Sequence, residues 1–429
     1  MKRILFLLFL SLSLTGLAAN EVIVSGRVNR PETLVRLMVY DDLLNMHETK
    51  VAETTSDDKG FFLLEGTIPC FLPGRIAVGL ESVDLFLTPG ASYDVTITIP
   101  EQDPQASYFE RLSPTLKVKT ASDKGVYRQI IVSEQIINGY VLNYFDELYR
   151  RHQYRYLDSI RATIDAEIEI RNDDVKHQND YKIASVQMAV NGDGGKKVIK
   201  EYFDGKPVLY HCSAYMDLFK DLFKTFEVTD EFAARNPDLS EMIHLYQLRG
   251  LYYSDPQSRK WVRAQLKSLA GRSKSSQTKT LIANMEARID RFARGADAPD
   301  FELEDLQGNR VRLSDFKNSM VLLQFVEGSS KTVDHQFETL EALHGQWQDS
   351  VQLVTITTKD QLALHRKRFE ERHYDWPLLN LGNDILLLEQ YEVYTFPEYI
   401  LLLPNNKIGV APAPNPDRAL GETVTKLLR

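Results

Sequence analysis

Met320 to Val333 reads MVLLQFVEGSSKTV, and the fold of the C-terminal part of the chain turns on how it is read. An apolar run fit for a buried strand ends at Phe325. A helix is expected to begin a few residues later, near Thr332 or Asp334. The polar residues Glu327 to Lys331 are then a turn between the two.

Downstream the same alternation continues. A helix is expected over 334–348, a strand over Val351 to Thr357, and a helix over Lys359 to Arg372. Trp376-Pro377-Leu378-Leu379 and the run Ile385 to Leu388 follow. Tyr394-Thr395-Phe396-Pro397 comes next, ahead of a strand from Tyr399 to Leu403, a turn at Asn405-Asn406, a last strand and a C-terminal helix. Strand, helix and strand in this order imply a central sheet with helices on both faces.

Upstream, Ala298-Pro299-Asp300-Phe301, a hairpin turning at Gln307-Gly308-Asn309, and Leu313-Ser314-Asp315-Phe316-Lys317 complete a pattern. The pattern resembles the secreted thioredoxin-like thiol–disulfide oxidoreductases of Bacteroidetes type and their alkyl hydroperoxide reductase/TSA relatives, the redoxin group. The resemblance implies a thioredoxin-like α/β domain over 295–429, with Met320 to Phe325 as its central strand. It also places a cis-proline loop at Phe396-Pro397, facing the active-site turn and able to pair with an extended peptide.

In that family the strand runs into a Cys-x-x-Cys turn, and the two cysteine positions fall here on Ser330 and Val333. The first cysteine of such a pair sits at a helix N-terminus, where the dipole lowers its pKa. The second resolves the mixed disulfide. A serine hydroxyl and a valine side chain do neither, so dithiol chemistry is not expected at this turn and no catalytic residue is assigned. A helix N-cap is the plainer role for Ser329, Ser330 or Thr332. The ligand-binding candidates are Ser329, Ser330, Lys331, Phe396 and Pro397.

The first residues, MKRILFLLFLSLSLTGLAAN, have a basic start, an apolar run and small residues up to Ala19, as in a secretory signal peptide over 1–19. The expected mature protein is periplasmic or extracellular, with no transmembrane segment. The formal charge is −9, and no basic concentration points to nucleic acid or an anionic membrane. The partner expected is a peptide or protein of the cell envelope.

Over 20–100, short stretches such as VIVSGRV, LVRLMVY, FFLLEG, RIAVGL, VDLFLT and SYDVTITI alternate with turn residues, the pattern of a small antiparallel β-sandwich or barrel. LTPGASYDVTI resembles the closing hairpin of the β-domain found ahead of thioredoxin domains in the same secreted proteins. Asp57, Asp58 and Asp84 lack EF-hand spacing and read as solvated turn carboxylates. Residues 101–124, with Pro104 and Pro114, read as a linker.

From 125 to 294 the periodicity is helical. IIVSEQIINGYVLNYFDELYRRH places Ile130, Ile137, Val141, Tyr144, Phe145 and Leu148 near one stripe. The most aromatic stretch, Tyr202 to Phe223, resembles a segment of the helical region in the same multi-domain proteins. It reads either as a docking pocket with Tyr210, His211, Tyr215 and Phe219, or as aromatic packing. The chain is thus a multi-domain α+β protein with a small β-sandwich, an all-helical middle and a thioredoxin-like domain.

Its two cysteines, Cys70 and Cys212, lie outside that last domain. They read as separate buried thiols, with a structural disulfide between them in an oxidising compartment as one alternative, an enzyme using them for thiol exchange as a second, and a purely structural scaffold as another. His335, His344, His365 and His373 lack zinc spacing and read as surface or helix-face residues, so no metal or cofactor is expected.

Overall fold

The computed structural model describes residues 20–79, 81–101, 112–347, 350–382, 386–393 and 395–428. The expected signal peptide, and Leu80, Pro104, Gln348, Ile385 and Tyr394, lie outside them. The described residues fall into two compact units, 20–99 with 114–286, and 287–428.

The first unit opens with β1 (Glu21–Val28), β2 (Leu34–Asp42), β3 (His47–Thr55), β4 (Phe61–Thr67), β5 (Leu72–Val78), β6 (Glu81–Leu87), β7 (Ser92–Thr98) and β8 (Thr115–Ala121). They form two four-stranded sheets in the orders β4-β1-β7-β8 and β3-β2-β5-β6. Alternate residues of both sheets, Val22, Val24, Leu37, Leu64, Ile76, Leu85, Tyr93 and Val95 among them, share one buried cluster. This is a β-sandwich core.

Three details depart from the sequence reading. β1 and β7 run parallel, so the sandwich is not wholly antiparallel. The stretch taken for a closing hairpin joins β6 of one sheet to β7 of the other, because each finds its hydrogen-bond partners elsewhere. The stretch taken for a linker carries β8, whose half-buried Leu116 and Val118 alternate with exposed lysines and pair with β7. Strand β3, HETKVAETT, is mostly exposed and offered no apolar alternation to read. Asp57 does cap a turn, accepting from the N–H groups of Lys59 and Phe61, whereas Asp84 stands on β6.

The helical part comprises α1 (Val126–Asn143), α2 (Arg155–Glu167), α3 (Asp173–Asn191), α4 (Ser213–Phe223), α5 (Asp230–Arg235), α6 (Pro237–Ser254), α7 (Arg259–Arg272) and α8 (Ser276–Arg291). Tyr144 and Phe145, expected on the buried stripe, are exposed because α1 ends at Asn143 and a π-turn over Asp146–Arg150 changes the register. The sandwich and the helices pack as one body. Buried Asn45 donates to the Leu281 carbonyl at 2.9 Å, and Asn284 donates to the Asp42 carboxylate at 3.0 Å. Phe71 shares a cluster with Val126, Ile130 and Val175.

The second unit holds β9 (Glu302–Asp305), β10 (Arg310–Arg312), β11 (Met320–Val326), α9 (Lys331–Trp347), β12 (Val351–Thr357), α10 (Leu362–Arg372), β13 (Leu378–Asn380), α11 (Leu386–Gln390), β14 (Glu398–Leu403), β15 (Lys407–Val410) and α12 (Leu420–Leu428). One sheet takes the order β10-β9-β13-β12-β11-β14-β15, with β11, β12 and β13 parallel. β11 is central and buried at every position. Its side chains divide strictly by parity, Val321, Leu323 and Phe325 into one core and Met320, Leu322 and Val326 into the other. This is the thioredoxin-like α/β arrangement expected.

Candidate functional site

β11 and β14 are antiparallel neighbours with Phe325 opposite Glu398. The turn after Val326 and the loop before Glu398 therefore emerge at the same edge of the sheet. Gly328, with φ of 74°, supplies the left-handed residue that lets the chain leave the strand and enter α9. The Phe396–Pro397 bond is cis, and both side chains are half-buried. The fold thus brings Ser329, Ser330, Lys331, Phe396 and Pro397 to one edge.

Ser330 and Val333 have separate tasks. Ser330 is exposed, and its Oγ accepts from the Val333 N–H at 3.2 Å, the bond of a helix N-cap. Val333 is buried in the cluster of Leu322, Val326 and Phe337. Asp334 in the first turn suits the positive end of the helix dipole. Arg368 of α10 ion-pairs with Asp334, reaches Ser329 Oγ at 3.4 Å and stacks on the Phe337 ring at 4.6 Å. The guanidinium braces the turn against the neighbouring helix.

His365, read as a surface or helix-face residue, is instead fully buried. Leu362, His365 and Phe369 recur at the spacing that turns one face of α10 inward, and His365 meets the Phe337 ring at 5.9 Å. Burial, with the Arg368 charge beside it, pushes its pKa down to about 3, so it is neutral over the physiological range.

Beneath the turn lies a chain of polar groups the sequence reading did not single out. Trp376 Nε1 donates to Thr355 Oγ1 at 3.0 Å, and Thr355 Oγ1 donates to Gln324 Oε1 at 2.8 Å. Gln324 Nε2 reaches the Tyr399 hydroxyl at 3.4 Å, and that hydroxyl donates to Gln336 Oε1 at 2.9 Å. All five residues are buried. The chain joins α9 to the strand that follows Pro397. Its signal was the lone glutamine in MVLLQFV, because a buried amide must find partners. Glu398, also missed, follows Pro397, and burial raises its carboxyl pKa while the Thr395 hydroxyl at 3.3 Å opposes the shift.

Tyr210 and Tyr215 belong to the first unit. Tyr215 and Phe219 are buried, with Tyr215 4.8 Å from the Tyr181 ring and 4.9 Å from Phe203, so they pack the helical core and line no docking edge. Ala214, Leu218 and Phe223 are buried with them, the i, i+4 pattern of a core-facing stripe. Tyr210 is half-buried, and His211 beside it lines a cavity of about 430 Å³ with Asp41, Val51, Ile68 and Leu72.

Both cysteines are free. The Cys212 thiol donates to Gln178 Oε1 at 2.8 Å, and burial pushes its pKa up to about 12. Cys70 is only half-buried, its thiol also raised by burial, with Asp174 adding to the shift. Neither environment favours a thiolate. Among the described residues no cluster of histidine, cysteine and carboxylate side chains fits a metal, and no helix is long and apolar enough to cross a membrane.

Residues 294–410 match the AhpC/TSA family. Over 119 residues the chain is 27% identical to the thiol-disulfide oxidoreductase ResA of Bacillus subtilis, and over 130 residues 26% identical to ResA of Geobacillus thermodenitrificans. The matched stretches are 27% and 30% of this chain, and span 65% and 74% of those relatives. A solved thioredoxin domain of a Bacteroides vulgatus thiol-disulfide oxidoreductase is 31% identical, covering 32% of this chain and 99% of that one with a TM-score of 0.28. A thiol:disulfide interchange protein from Bacteroides sp. is 29% identical, covering 32% and 90% with a TM-score of 0.29. The C-terminal part of this chain is a thioredoxin-like α/β domain that matches the AhpC/TSA family over residues 294–410, and it follows an N-terminal β-domain and a helical region in the chain.

Proposed function

We propose that the C-terminal domain is a redox-inactive binding domain of an exported protein, taking an extended peptide or protein segment between the turn at Ser329 to Lys331 and the loop at Phe396-Pro397. The observation that carries this reading is the pair of positions 330 and 333. One is a hydroxyl engaged as a helix cap and the other a buried methyl-bearing side chain, on a turn whose opposing proline loop is intact. A domain with this edge and no thiol keeps the means of strand-like recognition and lacks the means of exchange. Lys331 and Thr395 are exposed beside it, and Glu398 sets a carboxyl of raised pKa at its rim.

The test compares wild-type protein with a Ser330→Trp/Pro397→Ala variant in cross-linked capture from envelope extract, after circular dichroism shows the variant folded. Partners held by the wild type and lost by the variant are expected. Equal retention by both would move the binding function elsewhere in the chain. Insulin reduction is measured in parallel and should stay at the background rate. Catalysed reduction that survives in Ser330→Ala would sink the redox-inactive reading.

A further inference from the structure

On the helical part of the first unit, a cavity of about 400 Å³ opens among α2, α3 and the π-turn over Ile199–Phe203. Its volume lies in the range of small-molecule sites. Tyr154, Asp158, Arg161, Gln187, Glu201 and Tyr202 line it.

These side chains form a connected set. Arg161 donates to the Tyr202 hydroxyl at 2.9 Å and to Gln187 Oε1 at 3.5 Å, and the Tyr202 hydroxyl donates to the same oxygen at 3.2 Å. Gln187 Nε2 in turn donates to Glu201 Oε2 at 2.9 Å. The network fixes these groups ahead of any ligand. Asp158 joins them through an ion pair with Arg161 at 3.8 Å, longer than a hydrogen bond, and its carboxylate is 86% exposed.

The charges select the ligand class by exclusion. Asp158 and Glu201 oppose a phosphate or carboxylate. Arg161 within the set, and the Lys197 ammonium 5.5 Å from the centre of the Tyr154 ring, oppose a cation. A neutral ligand remains. It must offer several hydroxyl donors to the two carboxylates, whose oxygens together accept far more bonds than they receive here. It must also place an apolar face against the Tyr154 ring, which is 44% exposed. A sugar ring carries both, with vicinal hydroxyls on its rim and C–H bonds across its face.

We infer that this cavity binds a neutral saccharide, with hydroxyls donating to Asp158 and Glu201 and the ring face against Tyr154. The site stands on side chains of the first unit and is independent of the peptide-binding reading.

The test is saturation-transfer NMR on the full chain with cellobiose, maltose and chitobiose, each paired with a pull-down on its polymer, cellulose, starch or chitin. At least one disaccharide should receive saturation, and Tyr154→Ala and Asp158→Asn should each weaken its binding about tenfold. Both positions are exposed, and circular dichroism checks that the variants fold. Binding to the matching polymer assigns the site to a glycan chain, and binding to the disaccharide alone assigns it to a free sugar. Either supports the inference. No response to any of the three, an undiminished response in Tyr154→Ala, or a stronger response to inorganic phosphate or N-acetyl-lysine amide overturns it.

Discussion

The turn from Glu327 to Lys331 and the stretch from Tyr202 to Phe223 both read in the sequence as places to meet a ligand, and the fold treats them in opposite ways. Polar residues of the turn stay at the surface, where Ser330 closes the start of a helix. The aromatics of the other stretch turn inward, and Phe203, Tyr215, Phe219 and Phe223 contact one another edge to face, tilted or stacked and bury almost completely. Aromatic density at helical spacing is therefore a packing signal here. A short polar turn between a buried strand and a helix is the better pointer to an exposed edge.

That contrast is broken most severely by emptying the aromatic core. Phe219→Ala should cost about 3–5 kcal/mol, the range for deleting a buried phenyl ring and leaving a cavity. Urea unfolding followed by circular dichroism measures it. A loss below 1 kcal/mol would mean that this stretch is not the core described, and the docking reading of Tyr215 would return.

The second largest effect comes from acid, and it acts on the thioredoxin-like domain. The pKa of His365 is near 3 in the folded chain and near 6.5 when unfolded. Between those values the unfolded chain binds more protons. Stability is therefore fully present above pH 6.5 and falls as the pH drops toward 3. By pH 4 the loss from this one group is roughly 3 kcal/mol. Melting curves from pH 7 to pH 4 should show it, and His365→Leu should flatten the slope. An identical slope in the variant would place the acid sensitivity in other groups.

His365 also shows where sequence reading reaches its limit. The thioredoxin-like order of strands was legible because β11, β12 and β14 are mostly apolar and buried, and the turn at Ser330 was legible because a strand and a helix bracket it. Strand β3 was hidden because its side chains face water, and β8 because the prolines around it outweighed two half-buried residues. The shared body of sandwich and helices rests on Asn45 and Asn284, whose partners lie more than two hundred positions away. Polar residues with distant partners carry no periodicity, so the buried chain from Trp376 to Gln336 was invisible apart from the glutamine in β11.

That glutamine gives the next test. Gln324→Leu keeps the size and removes the acceptor of Thr355 and the amide that reaches Tyr399. Leaving the buried Thr355 O–H without its acceptor should cost about 1–3 kcal/mol. Hydrogen exchange should quicken at the start of α9 and in β14, the two elements the chain joins. If stability falls while exchange at both is unchanged, the network stabilises the core without holding the turn against the proline loop.

The smallest effect is the most specific to the turn. Ser330→Ala removes the oxygen that accepts from the Val333 N–H and should cost about 1 kcal/mol, whereas Ser330→Asp, which caps equally well and adds a charge at the positive end of α9, should cost nothing or gain a few tenths. A residue kept for redox chemistry or for direct ligand contact alone has no reason to follow that order. The pair also separates stability from recognition. If Ser330→Ala weakens capture of a partner and Ser330→Asp restores it along with stability, the hydroxyl acts by holding the helix start in place. If the aspartate stabilises the fold yet abolishes capture, the position meets the ligand directly, and the start of α9 is itself part of the binding edge.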